Sequence, residues 1–165
     1  LTRRCPPPAA RMSTPPVVSV FGGASPQPGS AAYEQAQTLG RLLAQAGCAV
    51  LTGGYMGTME AASRGAAEAG GRVLGATCAA IEQWRNAAPN AWVGEEIRFA
   101  TLRERLYYLL EHCDLAIALP GGIGTLAEVS LLWNLMQIRE LPRKPLILVG
   151  PDWRETITAF LRAMG

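Results

Sequence analysis

Five apolar residues in a row, Leu115 to Leu119, run straight into Pro120-Gly121-Gly122-Ile123-Gly124 and then Thr125-Leu126-Ala127-Glu128. A continuous apolar run of this length fits a parallel strand covered on both faces. The clustered glycines after it let the backbone turn sharply and come close to a ligand. Helical spacing is expected to begin near Thr125, with Glu128 in the first turn. A helix opening at a glycine turn presents unpaired N–H groups and the positive end of its dipole, which together favour a phosphate. The stretch therefore predicts an anion cradle with one carboxylate beside it.

The order of strand, small-residue turn and helix recurs along the chain. Val17 to Phe21 reads as a strand that ends in Gly22-Gly23-Ala24-Ser25-Pro26, and Ser30 caps a helix to about Ala46, closed by Gly47. Cys48 to Thr52 is a second strand running into Gly53-Gly54-Tyr55-Met56-Gly57-Thr58-Met59-Glu60, with a helix expected from about Met56 to Ala69. Arg72 to Thr77 gives a third strand, Ala79 to Ala91 a partly helical excursion, and Glu95 to Phe99 a short strand. Thr101 caps a helix to about Cys113, with Leu102, Leu106, Leu109 and Leu110 as its inward stripe. A strand at Leu146 to Val149 and an amphipathic helix from Trp153 to Met164 complete the pattern. Such alternation predicts an α/β fold: a doubly wound parallel sheet, Rossmann-like, in a single nucleotide-binding domain over residues 17–165. Residues 1–16, with their proline runs, are expected to form a disordered leader, with Met12 closer to the natural start.

Composition narrows the function. A net charge of +2 on 165 residues argues against a nucleic-acid partner. No apolar run reaches the ~18 residues a membrane span needs, and Leu1 to Pro16 lacks the apolar core of a signal peptide. Cys5, Cys48, Cys78 and Cys113 are widely spaced, so buried free thiols and a cytoplasmic location are expected. With His112 the single histidine, no metal site is expected.

Three of the expected strands end in small-residue loops, after Phe21 (containing Ser25), after Thr52 and after Leu119. In an open parallel sheet these ends share one edge, where ligands gather. A nucleotide or sugar phosphate is the expected ligand. The dinucleotide fingerprint is a poor fit, because Gly-x-Gly-x-x-Gly is missing after the first strand. Neither glycine turn carries the Gly-Lys-Ser/Thr of a Walker loop.

The residues Pro120-Gly121-Gly122-Ile123-Gly124-Thr125-Leu126-Ala127-Glu128 match the PGGxGTxxE signature of the Lonely Guy (LOG) family, formerly labelled lysine decarboxylases. Gly53-Gly54-x-x-Gly57-x-Met59 is similar to the family's GGxxGxM loop, and Arg105 falls where the family has its catalytic arginine. The resemblance covers the chain from about Val17 onward. It implies a cytokinin riboside 5′-monophosphate phosphoribohydrolase-like activity: hydrolysis of the N-glycosidic bond of a purine nucleoside 5′-monophosphate to free base and ribose 5-phosphate. It also implies a homodimer that needs no metal or other cofactor. On this reading Glu128 and Arg105 are catalytic, with the 5′-phosphate on Gly121, Gly122, Ile123, Gly124 and Thr125. Gly53, Gly54, Gly57, Met59 and Ser25 are the further substrate-contact candidates.

Other readings stay open beside that one. Thr125-x-x-Glu128 also has the spacing of a capping box, and Arg105 taken alone reads as a solvated helix residue. Leu106 stands where many family members have lysine. That difference keeps open a non-catalytic carrier of nucleotide or molybdenum cofactor with the same fold. The old decarboxylase label would require a Schiff-base lysine, and the single lysine, Lys144, lies in a proline-flanked connector.

Overall fold

A computed structural model describes residues 14–164. The leader reading of residues 1–16, Met12 and Cys5 therefore fall almost wholly outside the described residues. Six strands alternate with six helices: β1 (Val17–Phe21), α1 (Ala31–Gln45), β2 (Ala49–Thr52), α2 (Thr58–Glu68), β3 (Val73–Cys78) and α3 (Ala79–Arg85) form the first half. The second half is β4 (Glu95–Phe99), α4 (Leu102–Glu111), β5 (Leu115–Ala118), α5 (Ile123–Gln137), β6 (Leu146–Leu148) and α6 (Pro151–Ala163). All strands pair in parallel in the order β4-β3-β2-β1-β5-β6. This is the expected doubly wound, Rossmann-like sheet.

Alternate residues of each strand feed two separate cores. Val18, Val20, Val50, Val73 and Ile117 pack against Tyr33 and Ala36 of α1 and Ala61, Ala62 and Ala66 of α2. Phe21, Leu51, Leu74, Ala76 and Ala118 face the other way, against Leu109 and Leu110 of α4, Val129, Leu132 and Leu135 of α5, and Trp153 of α6. The apolar strand runs of the sequence are thus a consequence of cover on both faces. Because β1 continues to β2 on one side and β5 to β6 on the other, the strand order reverses between β1 and β5. That gap is where an open α/β sheet makes room for a ligand.

Helix starts depart from expectation. α5 begins at Ile123, two residues before Thr125, because Gly122 serves as its N-cap without any side-chain bond. Glu128 consequently lies in the second turn, and α5 has no acidic residue in its first turn. α2 begins at Thr58 rather than Met56, behind Gly57 at φ 71°. In that conformation a side chain at position 57 would run into the backbone of Gly23 and Ala24. Leu102 is half exposed, and the inward stripe of α4 is Arg105, Leu109 and Leu110. Of the thiols, Cys78 and Cys113 are buried and Cys48 only partly so.

Candidate active site

Three loops meet at the β1/β5 gap. The Gly23 N–H donates to Pro120 O at 3.1 Å, joining the loop after β1 to the loop after β5. The Thr58 N–H donates to Gly23 O at 2.9 Å, joining the same loop to the start of α2. Gly121 is tightly hemmed, since a side chain there would strike Thr125 and Gly23 N. Gly122 and Gly124 instead face open space. The first amides of α5 have no capping side chain, and the helix's own bonding resumes at Leu126 N–H to Gly122 O, 3.0 Å. Bare backbone donors beside open space are what an anion cradle would require. Thr125 is buried against Gly121, and Ser25 lies exposed with its Oγ near Gly23.

Arg105 is not a solvated residue. It is 5% exposed, with Nε donating to Ala76 O at 2.7 Å and Nη2 to Gly53 O at 3.2 Å. Its Nη2 also lies 3.9 Å from Met59 Sδ, and the guanidinium stands 5.7 Å from the centre of the Tyr55 ring. Two strand-end carbonyls therefore offset the cost of burying its charge. The Gly53 position has no room for a side chain because Arg105 and Met59 occupy that space. Burial lowers the Arg105 pKa, with the charge of Glu128 acting in the opposite direction.

Glu128 keeps part of its surface, yet the surrounding protein strips enough water to push its carboxyl up to about 7. Arg105 pulls it downward but does not win, and the pair forms no direct ion pair among the described residues. The capping-box reading of Thr125 and Glu128 is overturned, because Gly122 caps α5 without a side chain. A capping box is present instead at Thr101 with Glu104, at the start of α4. Arg105 thus sits against Gly53, and Glu128, on the helix that opens at the Gly121–Thr125 turn, is near enough for the two charges to act on each other.

Residues the sequence did not single out organise this cluster. The Tyr55 hydroxyl donates to Cys78 O at 3.0 Å and accepts from Cys78 N–H at 2.7 Å. Asn90 donates through Nδ2 to Tyr55 O at 2.8 Å and through its backbone N–H to Gly54 O at 2.8 Å. An aromatic immediately after a double glycine was the available signal for Tyr55. Of the acidic residues ahead of α4, Glu82 pairs with Arg98, Glu95 with Arg72, and Glu96 accepts from Thr77 Oγ1 at 2.6 Å.

Two open cavities lie further along the same edge. One of about 280 Å³ flanks the outer side of the glycine turn, between Gly122, Ile123, Leu126 and Trp153. The other, of about 780 Å³, sits over Leu148, Trp153 and Ile157 and includes neither Glu128 nor Arg105. Lys144 is committed elsewhere: its Nζ donates to Leu110 O at 2.9 Å and Cys113 O at 2.6 Å, closing the end of α4. It is not available in this cluster for a Schiff base. Among the described residues no group of three or more His, Cys, Asp or Glu is placed to hold a metal. None of the described helices is long and apolar enough to cross a membrane.

Known proteins resemble this chain in sequence and fold. The model of the SLOG cluster4 family matches residues 15–157. A protein of Oryza sativa subsp. japonica named "probable cytokinin riboside 5′-monophosphate phosphoribohydrolase" is 31% identical over 150 residues, 87% of this chain and 58% of that relative. The chain therefore spans well under two thirds of the plant protein's length. The cytokinin riboside 5′-monophosphate phosphoribohydrolase of Rhodococcoides fascians is 30% identical over 142 residues, 84% of this chain and 70% of that one. Among solved structures, a molybdenum cofactor binding protein from the phototrophic bacterium Rippkaea orientalis superposes with a TM-score of 0.70 at 29% identity. That match covers 90% of this chain and 85% of the other. The family model and these relatives agree along nearly the whole described chain, which belongs to the SLOG cluster4 family of LOG-type proteins.

Proposed function

We propose that the protein hydrolyses the N-glycosidic bond of a purine nucleoside 5′-monophosphate, an adenosine-type or cytokinin nucleotide, to free base and ribose 5-phosphate. The observation that carries this reading is a carboxyl with its pKa raised to about 7, Glu128, beside a backbone anion cradle. Cleavage of the bond builds positive charge on the ribose ring, and a nearby carboxylate stabilises it. A group titrating near neutrality is also suited to take a proton from the attacking water. The 5′-phosphate rests on the amides of Gly121 to Thr125 and on the Thr125 hydroxyl. Arg105 supplies fixed positive charge to the phosphate or ribose and keeps Glu128 from being fully neutral. Phosphate binding, remote from the scissile bond, fixes the sugar against Glu128.

On this reading Gly53 and Met59 act by shaping the Arg105 niche as much as by touching substrate, while Gly54 and Gly57 let the loop after β2 lie close to Thr77 and to Gly23 and Ala24. Ser25 is the contact offered by the loop after β1. No metal or other cofactor takes part, and the active form is a cytoplasmic homodimer. A second reading, a carrier without turnover, draws support from the likeness to the molybdenum cofactor binding protein and from leucine at position 106. Incubating the purified protein with AMP separates the two. Release of adenine and ribose 5-phosphate supports the hydrolase; tight AMP binding without base release supports the carrier.

A further inference from the structure

The segment between β3 and β4 is tied to the site at both of its ends through one residue. At its start, the Tyr55 hydroxyl bonds both backbone groups of Cys78 and lies 3.4 Å from Glu82 Oε1 on α3. At its far end, Asn90 holds Tyr55 O and Gly54 O. Tyr55 in turn stands beside Arg105. Between these anchors α3 buries none of its residues, and the chain leaves it at Asn86 in a left-handed turn, φ 49°. α3 therefore lacks a fully buried face, and the bonds to Tyr55 at both ends of the segment help to hold it in place.

Its free end carries an aromatic platform. Trp84 is 75% exposed, and the Arg85 guanidinium lies 4.8 Å from the centre of its ring. Arg64, Arg72 and Arg98 each have a carboxylate partner, whereas Arg85 has none among the described residues. Arg85 is also close enough for its charge to act on Arg105. Spacing completes the picture. β3 lies three strand positions from β5, about 14 Å at the usual separation, a span on the scale of a nucleotide whose phosphate sits on the β5 loop.

We propose that Trp84 and Arg85 on α3 receive the base of the nucleotide, the indole and guanidinium planes offering a stacking surface for a flat ring. Stacking of this kind tolerates any flat ring. The platform is open to solvent, so a substituent on the ring's edge is accommodated rather than excluded. This inference rests on the proposed nucleotide reading and adds to it the element that holds the base.

The test uses AMP and ribose 5-phosphate as paired probes, titrated calorimetrically into the full chain carrying Glu128→Gln so that AMP stays intact. Adding Trp84→Ala or Arg85→Ala should weaken AMP about tenfold and leave ribose 5-phosphate within about twofold. Both side chains are exposed, so neither change threatens the core. Unchanged AMP affinity, or equal loss for both probes, overturns the inference while the hydrolase reading stands. If the parent Glu128→Gln chain binds no AMP and the wild type releases no adenine, the nucleotide reading falls and this inference with it.

Discussion

Gly53 and Arg105, separated in sequence by two helices and two strands, share one volume: the guanidinium fills the space that a side chain at 53 would need. The Arg105 Nη2 donates to the Gly53 carbonyl at 3.2 Å, so the glycine both admits the arginine and binds it. The first glycine of the pair after β2 therefore serves a protein side chain directly.

Gly53→Ala should consequently behave like a loss of Arg105. The added methyl displaces the guanidinium, and a displacement of about 1 Å at a reacting site costs on the order of 100-fold in turnover. Adenine release from AMP, measured beside the melting temperature, checks it. A fall in turnover with little change in melting fits the shared niche; wild-type turnover does not.

The titration of Glu128 sets a pH dependence. If the ionised form is the one that acts, base release rises as pH increases toward about 7 and levels off above it. A rate profile flat from pH 5.5 to 8.5 would detach the carboxyl from the rate.

Stability carries the same signature with a definite sign. The folded pKa of Glu128 lies above the ordinary 4.5, so the native state holds the proton more tightly. Between about 4.5 and 7 the folded protein binds more protons than the unfolded chain, and this group's contribution falls as pH rises through that window. Removing the charge by Glu128→Gln should stabilise the protein at pH 8, by at most on the order of 3 kcal/mol, and scarcely at pH 4. Thermal melts at both pH values read this directly.

Lys144 should be structural. Lys144→Met leaves the carbonyls of Leu110 and Cys113 without their donor and should lower stability by about 1–2 kcal/mol while base release persists. Denaturant unfolding with a parallel activity assay measures both effects.

Much of the fold was legible because its signals are local. Glu95 to Phe99 and the Ser30 cap emerge where the sequence puts them, and apolar runs of doubly covered strands are hard to mistake. The glycine turns were legible for the same reason. What escaped is tertiary. A charged residue on a helix reads as solvated until the carbonyls of Ala76 and Gly53, contributed by other strands, are seen to receive it. The start of α5 was misjudged because Gly122 caps through backbone geometry, leaving no side-chain marker. Tyr55 and Asn90 escaped because each acts on a loop distant in sequence, through bonds no periodicity reveals.

The central claim is that Glu128 acts on a bound ribose whose phosphate sits at the head of α5. It is tested most directly by following adenine release from AMP under single-turnover conditions for the wild type and Glu128→Gln, with AMP affinity measured alongside. The account predicts binding kept within a few-fold and base release slowed at least ~100-fold. Undiminished release by the glutamine variant would contradict it.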